Sequence, residues 1–83
     1  MAGPPMTELH SEENQQLMAA LAAARQAAGL SQRDLAKRLE CDQSYIAKYE
    51  GGRRRLDVIE FLRIVRAIGV DYRTLVDAVK LTD

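Results

Sequence analysis

Two stretches with helical spacing, at about 32–39 and about 43–50, are separated by only Glu40, Cys41 and Asp42. No other feature of the chain restricts its fold as strongly. A join this short forces a sharp turn, so the two helices cross steeply. Leu35, Ala36 and Leu39 on the first helix, and Ile46 and Tyr49 on the second, are expected to face inward.

Capping chemistry frames the remaining helices. Ser31 stands three places before Asp34, a short-armed version of a capping box, and Asp57 stands likewise before Glu60. Asp42 and Asp71 occupy further cap positions. Ser11 with Glu12 and Glu13 opens a first helix at about 11–28, on which Leu17, Leu21, Ala24 and Ala28 recur at helical spacing. Gly29, Gly51-Gly52 and Gly69 are stop signals. The fourth helix is predicted to run to about 68, with Val58, Phe61, Leu62 and Val65 on its inner face and Ile59, Ile64 and Ile68 in surplus; the fifth is predicted at about 72–81. No strand pattern and no internal repeat is present. The expectation is an all-α, five-helix domain over residues 11–83, about the size of one modest core. Residues 1–10, with Gly3, Pro4 and Pro5, read as a disordered lead outside the fold, with Met6 as an alternative start.

Several function classes find no residues to support them. Cys41 is the single cysteine, so no internal disulfide can form. A lone cysteine suits the reducing cytoplasm, the expected location. The longest apolar run, 17–24, is far too short to span a bilayer and lacks the basic lead of a signal peptide. His10 has no partner ligands, and no Gly-rich phosphate loop, carboxylate pair or nucleophile constellation occurs. Neither a metal, a cofactor nor an enzymatic activity is expected.

Two short helices around a sharp turn form the unit that lays its second helix in the major groove of DNA. The sequence around it resembles the lambda-repressor-like helix-turn-helix family of the xenobiotic-response-element type, which includes phage Cro proteins and many small bacterial regulators. The resemblance covers about residues 14–80. It is carried by Arg25, Gly29-Leu30-Ser31-Gln32, Leu35-Ala36, Ile46, Tyr49-Glu50-Gly51-Gly52-Arg53 and Gly69-Val70-Asp71. It implies that Gln43 and Ser44 reach base edges and that Lys48 reaches a base or a phosphate, with Tyr45 at a thymine methyl or the backbone. It also implies that Gln32 holds a phosphate and braces the recognition helix. Arg53 and Arg54, and with them Arg55 of the same run, would grip phosphates, and Arg25 and Glu50 would form a buried ion pair. The residue types agree with these roles: Gln bonds adenine bidentately and Lys bonds guanine acceptors. The sequence departs from the family pattern at Glu40, where Gly is usual, and at Ser44, a permissive base reader. Cys41, in a turn position usually apolar, is expected to be small, buried and inert.

The chain carries no net charge, which bears directly on such a role. The charge is unevenly placed. Within residues 29–56 stand Arg33, Lys37, Arg38, Lys48, Arg53, Arg54 and Arg55 against Asp34, Glu40, Asp42 and Glu50, a local balance of +3. The flanking segments are acidic and cancel it. Local charge governs docking, while net charge sets non-specific affinity. The implied partner is double-stranded DNA, bound with weak non-specific affinity and a marked need for dimerisation. Tyr72, Val76 and Val79 are expected to supply the homodimer interface, which would set two recognition helices about 34 Å apart on a near-palindromic operator. Repression by occluding a promoter is the simplest mechanism. The alternative is a protein-interaction module, such as an antitoxin that neutralises a toxin-like partner, with or without DNA binding.

Overall fold

The computed structural model describes residues 11–81. Five helices follow in order: α1 (Glu12–Ala27), α2 (Gln32–Leu39), α3 (Gln43–Glu50), α4 (Val58–Ile68) and α5 (Tyr72–Asp77). The predicted lead at 1–10 and His10 lie outside the described residues. Among those described, no helix is long and apolar enough to cross a membrane.

The helices begin where their caps sit. Ser31 Oγ accepts from the Asp34 amide at 3.0 Å, and Asp34 Oδ2 accepts from the Ser31 amide at 2.9 Å. The shorter aspartate therefore closes the box as glutamate would. Asp57 and Glu60 close a second box at 2.7 and 2.9 Å. Ser11 caps α1 through the Asn14 amide. Asp42 differs: it holds the N-cap position of α3, but its carboxylate makes no cap bond.

The first four helices end by one device. A residue just past the end turns left-handed, and the next amide reaches back to a carbonyl five residues earlier. The bonds are Leu30 to Arg25 O (3.1 Å), Cys41 to Ala36 O (3.0 Å), Arg53 to Lys48 O (2.8 Å) and Val70 to Val65 O (3.3 Å). The left-handed residues are Gly29, Glu40, Gly52 and Gly69. Only Glu40 carries a Cβ, at φ 56°, where it crowds its own carbonyl. Glu40→Gly is therefore expected to raise stability. Relief of strain exceeds the added freedom of the unfolded chain by about 0.5–1 kcal/mol. A urea denaturation curve whose midpoint stays put or falls would show that Glu40 is not strained.

The core gathers Met18 and Leu21 of α1, Leu35 and Ala36 of α2, and Ile46 and Tyr49 of α3. Ile64, Val65 and Ile68 of α4 and Leu75 of α5 complete it. Helix α2 packs on α3 and α4, while α1 packs on α3, α4 and α5. Burying each of the large aliphatic side chains contributes roughly 1.5–3 kcal/mol.

Three expectations need correction. Helix α4 presents a different face: Ile64 and Ile68 are buried with Val65, Phe61 is half-buried, and Val58, Ile59 and Leu62 are exposed at 70, 57 and 43%. Apolar residues surround this helix almost completely, so periodicity could not choose the inner face; packing against α1 and α2 does. Helix α5 stops at Asp77 rather than near 81. Its end tightens into i→i−3 bonds, Ala78 to Leu75 O and Val79 to Val76 O, both 3.1 Å. The Lys80 amide then bonds Gln16 Oε1 of α1 at 2.7 Å, which draws the chain off the helix axis. Cys41 is exposed, because the turn is closed by its backbone amide and not by its side chain. Partial desolvation, then the neighbouring Asp42, raise its thiol pKa and disfavour the reactive thiolate.

Candidate nucleic-acid interface

Helix α3 is anchored from behind. Ile46 and Tyr49 are fully buried, which turns Gln43, Ser44 and Lys48 outward and leaves all three exposed. At 100° per residue these positions, with Ala47, share one face. Tyr45 flanks that face, half-buried, its ring edge-on to Tyr49 at 5.6 Å between centroids.

The end of α3 is tied to two other helices. Arg25, in the last turn of α1, donates from Nε to Glu50 Oε2 at 2.8 Å and from Nη2 to Oε1 at 3.1 Å. Its Nη1 donates to Leu30 O at 2.8 Å. The two side chains are each 9% exposed. Hydrogen bonding to Glu50 raises the arginine pKa against the opposing effect of burial. Gln32, first residue of α2, donates Nε2 to Glu50 Oε1 at 2.9 Å. One carboxylate thus holds α1, α2 and α3 in fixed register. Gln32 retains a second amide hydrogen for an outside acceptor.

The loop after α3 carries the arginine run. A Cβ on Gly51 would stand 3.0 Å from Ala47 O, so the tight exit from the helix suits glycine. Arg53 and Arg55 are exposed. Arg54 is engaged: Nη2 donates to Glu60 Oε2 at 2.7 Å, Nη1 to Glu60 Oε1 at 3.2 Å and to Arg55 O at 2.7 Å. Its guanidinium also lies 4.9 Å from the centre of the Tyr45 ring. Desolvation first, then the Glu60 carboxylate, push the Tyr45 hydroxyl up to about 12. Arg38 is likewise occupied, donating to Ala67 O at 2.8 Å. Glu60 as the partner of Arg54 was not foreseen from the sequence. Its signal was available, six residues past Arg54, but its capping role alone accounted for it.

Tyr72 and Val76 lie four residues apart on α5, both about half exposed. Val79 lies beyond the helix, half-buried. With Leu17, Phe61, Val76 and Leu81 it lines an apolar groove of about 290 Å³.

A short helix wedged from behind, a second helix bracing its end and an arginine loop beside it define a helix-turn-helix fold. The helix-turn-helix domain model matches residues 16–79. The chain is 45% identical to an XRE-family-like protein from Pseudomonas syringae pv. tomato, over 83% of this chain and 84% of that one, with a TM-score of 0.76. It therefore belongs to the lambda-repressor-like, XRE-type helix-turn-helix family. The restriction-modification controller protein C.AhdI from Aeromonas hydrophila is 29% identical over 78% of this chain and 98% of that one, with a TM-score of 0.71. A second controller, C.Esp1396I, solved as a tetramer in complex with its natural 35 base-pair operator, shares the fold. It is 22% identical over 83% and 96% of the chains, with a TM-score of 0.75. Comparison with curated protein sequences returned no match.

Proposed function

We propose that this protein is a sequence-specific transcriptional regulator, acting as a repressor that binds a near-palindromic operator as a homodimer. The observation that carries this is the outward face of α3, where Gln43, Ser44 and Lys48 stand free on a helix locked from behind. Gln43 and Lys48 read base edges, Ser44 adds a permissive contact, and Tyr45 closes the rim. Arg53, Arg55 and the second amide hydrogen of Gln32 hold phosphates. Arg54, bound to Glu60, is left out of that set. The exposed apolar side chains of α4 and α5 meet those of a second copy across a two-fold axis. Binding of this kind needs neither cofactor nor metal, and it places the protein with the DNA in the cytoplasm. A protein with the same fold is solved in complex with its operator DNA, which supports the operator-binding part of this reading.

The test is selection from random duplex DNA at physiological salt, where charges beyond about 8 Å are screened. A near-palindrome with half-sites about 34 Å apart is the expected product. On that site, Gln43→Ala should cost about 1–3 kcal/mol and relax one base position. Arg53→Ala should weaken all sequences alike and flatten the salt slope by about 0.9. Equal losses on operator and random DNA for Gln43→Ala would remove it as a base reader. If a folded dimer selects nothing, the same exposed apolar face argues for a protein partner of the antitoxin kind.

A further inference from the structure

The arginine loop contains one residue whose guanidinium is held by protein groups, although its side chain stays 40% exposed. Arg54 makes a two-pronged ion pair with Glu60, bonds its neighbour's carbonyl and lies over the Tyr45 ring. These partners belong to different elements. Tyr45 is on the recognition helix α3, Glu60 is in the first turn of α4, and Arg55 is in the loop that joins them. Glu60 is itself fixed, because its Oε1 also accepts from the Asp57 amide at 2.9 Å. Tyr45 is fixed from behind by the buried Tyr49. The guanidinium thus fills the angle between α3 and α4 with both ends anchored. The loop's first amides bond back into α3, Gly51 to Ala47 O, Gly52 to Tyr49 O and Arg53 to Lys48 O, so the stretch that needs a hold from outside begins at Arg54.

We infer that Arg54 is a positioning residue for DNA binding: it clamps Tyr45 to Glu60 and so sets the angle at which the 51–55 loop presents Arg53 and Arg55. A planar, forked cation suits this task and a lysine does not, because the clamp needs two parallel bonds and a stacking face at once. Hydrogen bonding to Arg54, then to the Asp57 amide, lowers the Glu60 pKa, so the carboxylate stays ionised at neutral pH. This role rests on the operator-binding function and extends it to a residue that touches no DNA.

The sign of one substitution separates this role from its rival. If Arg54 is a phosphate ligand that Glu60 merely restrains, Glu60→Gln frees it, removes a negative charge and tightens DNA binding. If Arg54 positions the loop, Glu60→Gln weakens binding to the selected operator, by roughly tenfold, the scale of coupling within a shared hydrogen-bond network. Glutamine still accepts from the Asp57 amide, so the start of α4 is kept. Arg54→Gln should weaken binding by a similar factor with the salt slope unchanged; a lost phosphate contact would flatten it by about 0.9. Arg54→Lys should fail to restore affinity. Tighter binding by Glu60→Gln, a flattened slope for Arg54→Gln, or rescue by lysine would each overturn the proposal. Amide hydrogen exchange of the free proteins, recorded well below their unfolding midpoints, supplies a reading independent of DNA. Both glutamine variants should exchange faster at residues 52–56 and unchanged in α1 and α2. Unchanged loop exchange would also sink the clamp. If the wild type selects no DNA, the operator-binding function fails by itself, and the loop exchange still decides whether the clamp exists.

Discussion

Glu50→Ala is expected to lower the unfolding free energy by about 3–5 kcal/mol, the cost of leaving an uncompensated charge inside a protein. The guanidinium of Arg25 would lose both carboxylate bonds and keep only Leu30 O. Its surroundings admit little water, since both side chains are 9% exposed. Gln32 would lose its acceptor in the same substitution. Domains of this size are stable by about 4–12 kcal/mol, so the loss removes a large share of the total. Arg25→Ala should cost a similar amount through the stranded carboxylate. Replacing both residues by apolar side chains of matched volume should recover most of the loss, because desolvation of the pair offsets most of its attraction. Chemical denaturation of the two single variants and the double variant closes the cycle. A loss below about 1 kcal/mol for either single change would class the pair with exposed salt bridges, which contribute little.

That pair also shows which parts of the molecule the sequence could disclose. Helix starts and stops are local chemistry, visible in Ser31 with Asp34, in Asp57 with Glu60, and in the glycines at 29, 52 and 69. The start of α2 and the end of α3 coincide with the predicted ones for that reason. Arg25 and Glu50 are far apart in sequence and were named only through the family resemblance; no local pattern links them. The inner face of α4 was not legible, because Val58, Ile59, Leu62, Ile64 and Ile68 give the helix apolar groups on nearly every side. The end of α5 depends on the Lys80 amide meeting Gln16, a contact 64 residues apart. Cys41 looked buried by residue type, yet a turn closed through its backbone leaves the side chain free to point outward. The Arg54–Glu60 bond lies only six residues apart, but an arginine run beside a recognition helix suggests phosphate first, and only the fold reveals the carboxylate in its path.

Val76→Asp should separate the two halves of the proposed dimer, with the largest effect on DNA binding. Val76 is half exposed in the single chain, beside Phe61, Val79 and the groove, and Tyr72 lies one turn earlier on the same helix. Val58, Ile59 and Leu62 of α4 add further exposed apolar surface. In a two-fold interface each Val76 faces the partner's matching patch, so one substitution introduces two carboxylates into one apolar contact. Neither finds a partner there, and desolvation opposes association. The isolated fold should hardly notice, since changes at exposed positions stay within about 0.5 kcal/mol. Operator affinity should nevertheless fall by a factor on the order of 10² to 10⁴, the gain that joining two half-site contacts supplies. Affinity for an isolated half-site should not change. Sedimentation gives the mass and gel shift on whole and half operators gives the affinities. Gln43→Ala provides the contrast, a lower affinity for both DNAs with the mass of the dimer retained. A wild type that sediments as a monomer, or a Val76→Asp variant that binds the whole operator as tightly as wild type, would mean that this surface does not join two copies. The exposed apolar residues of α4 and α5 would then have to be explained by contact with a different protein.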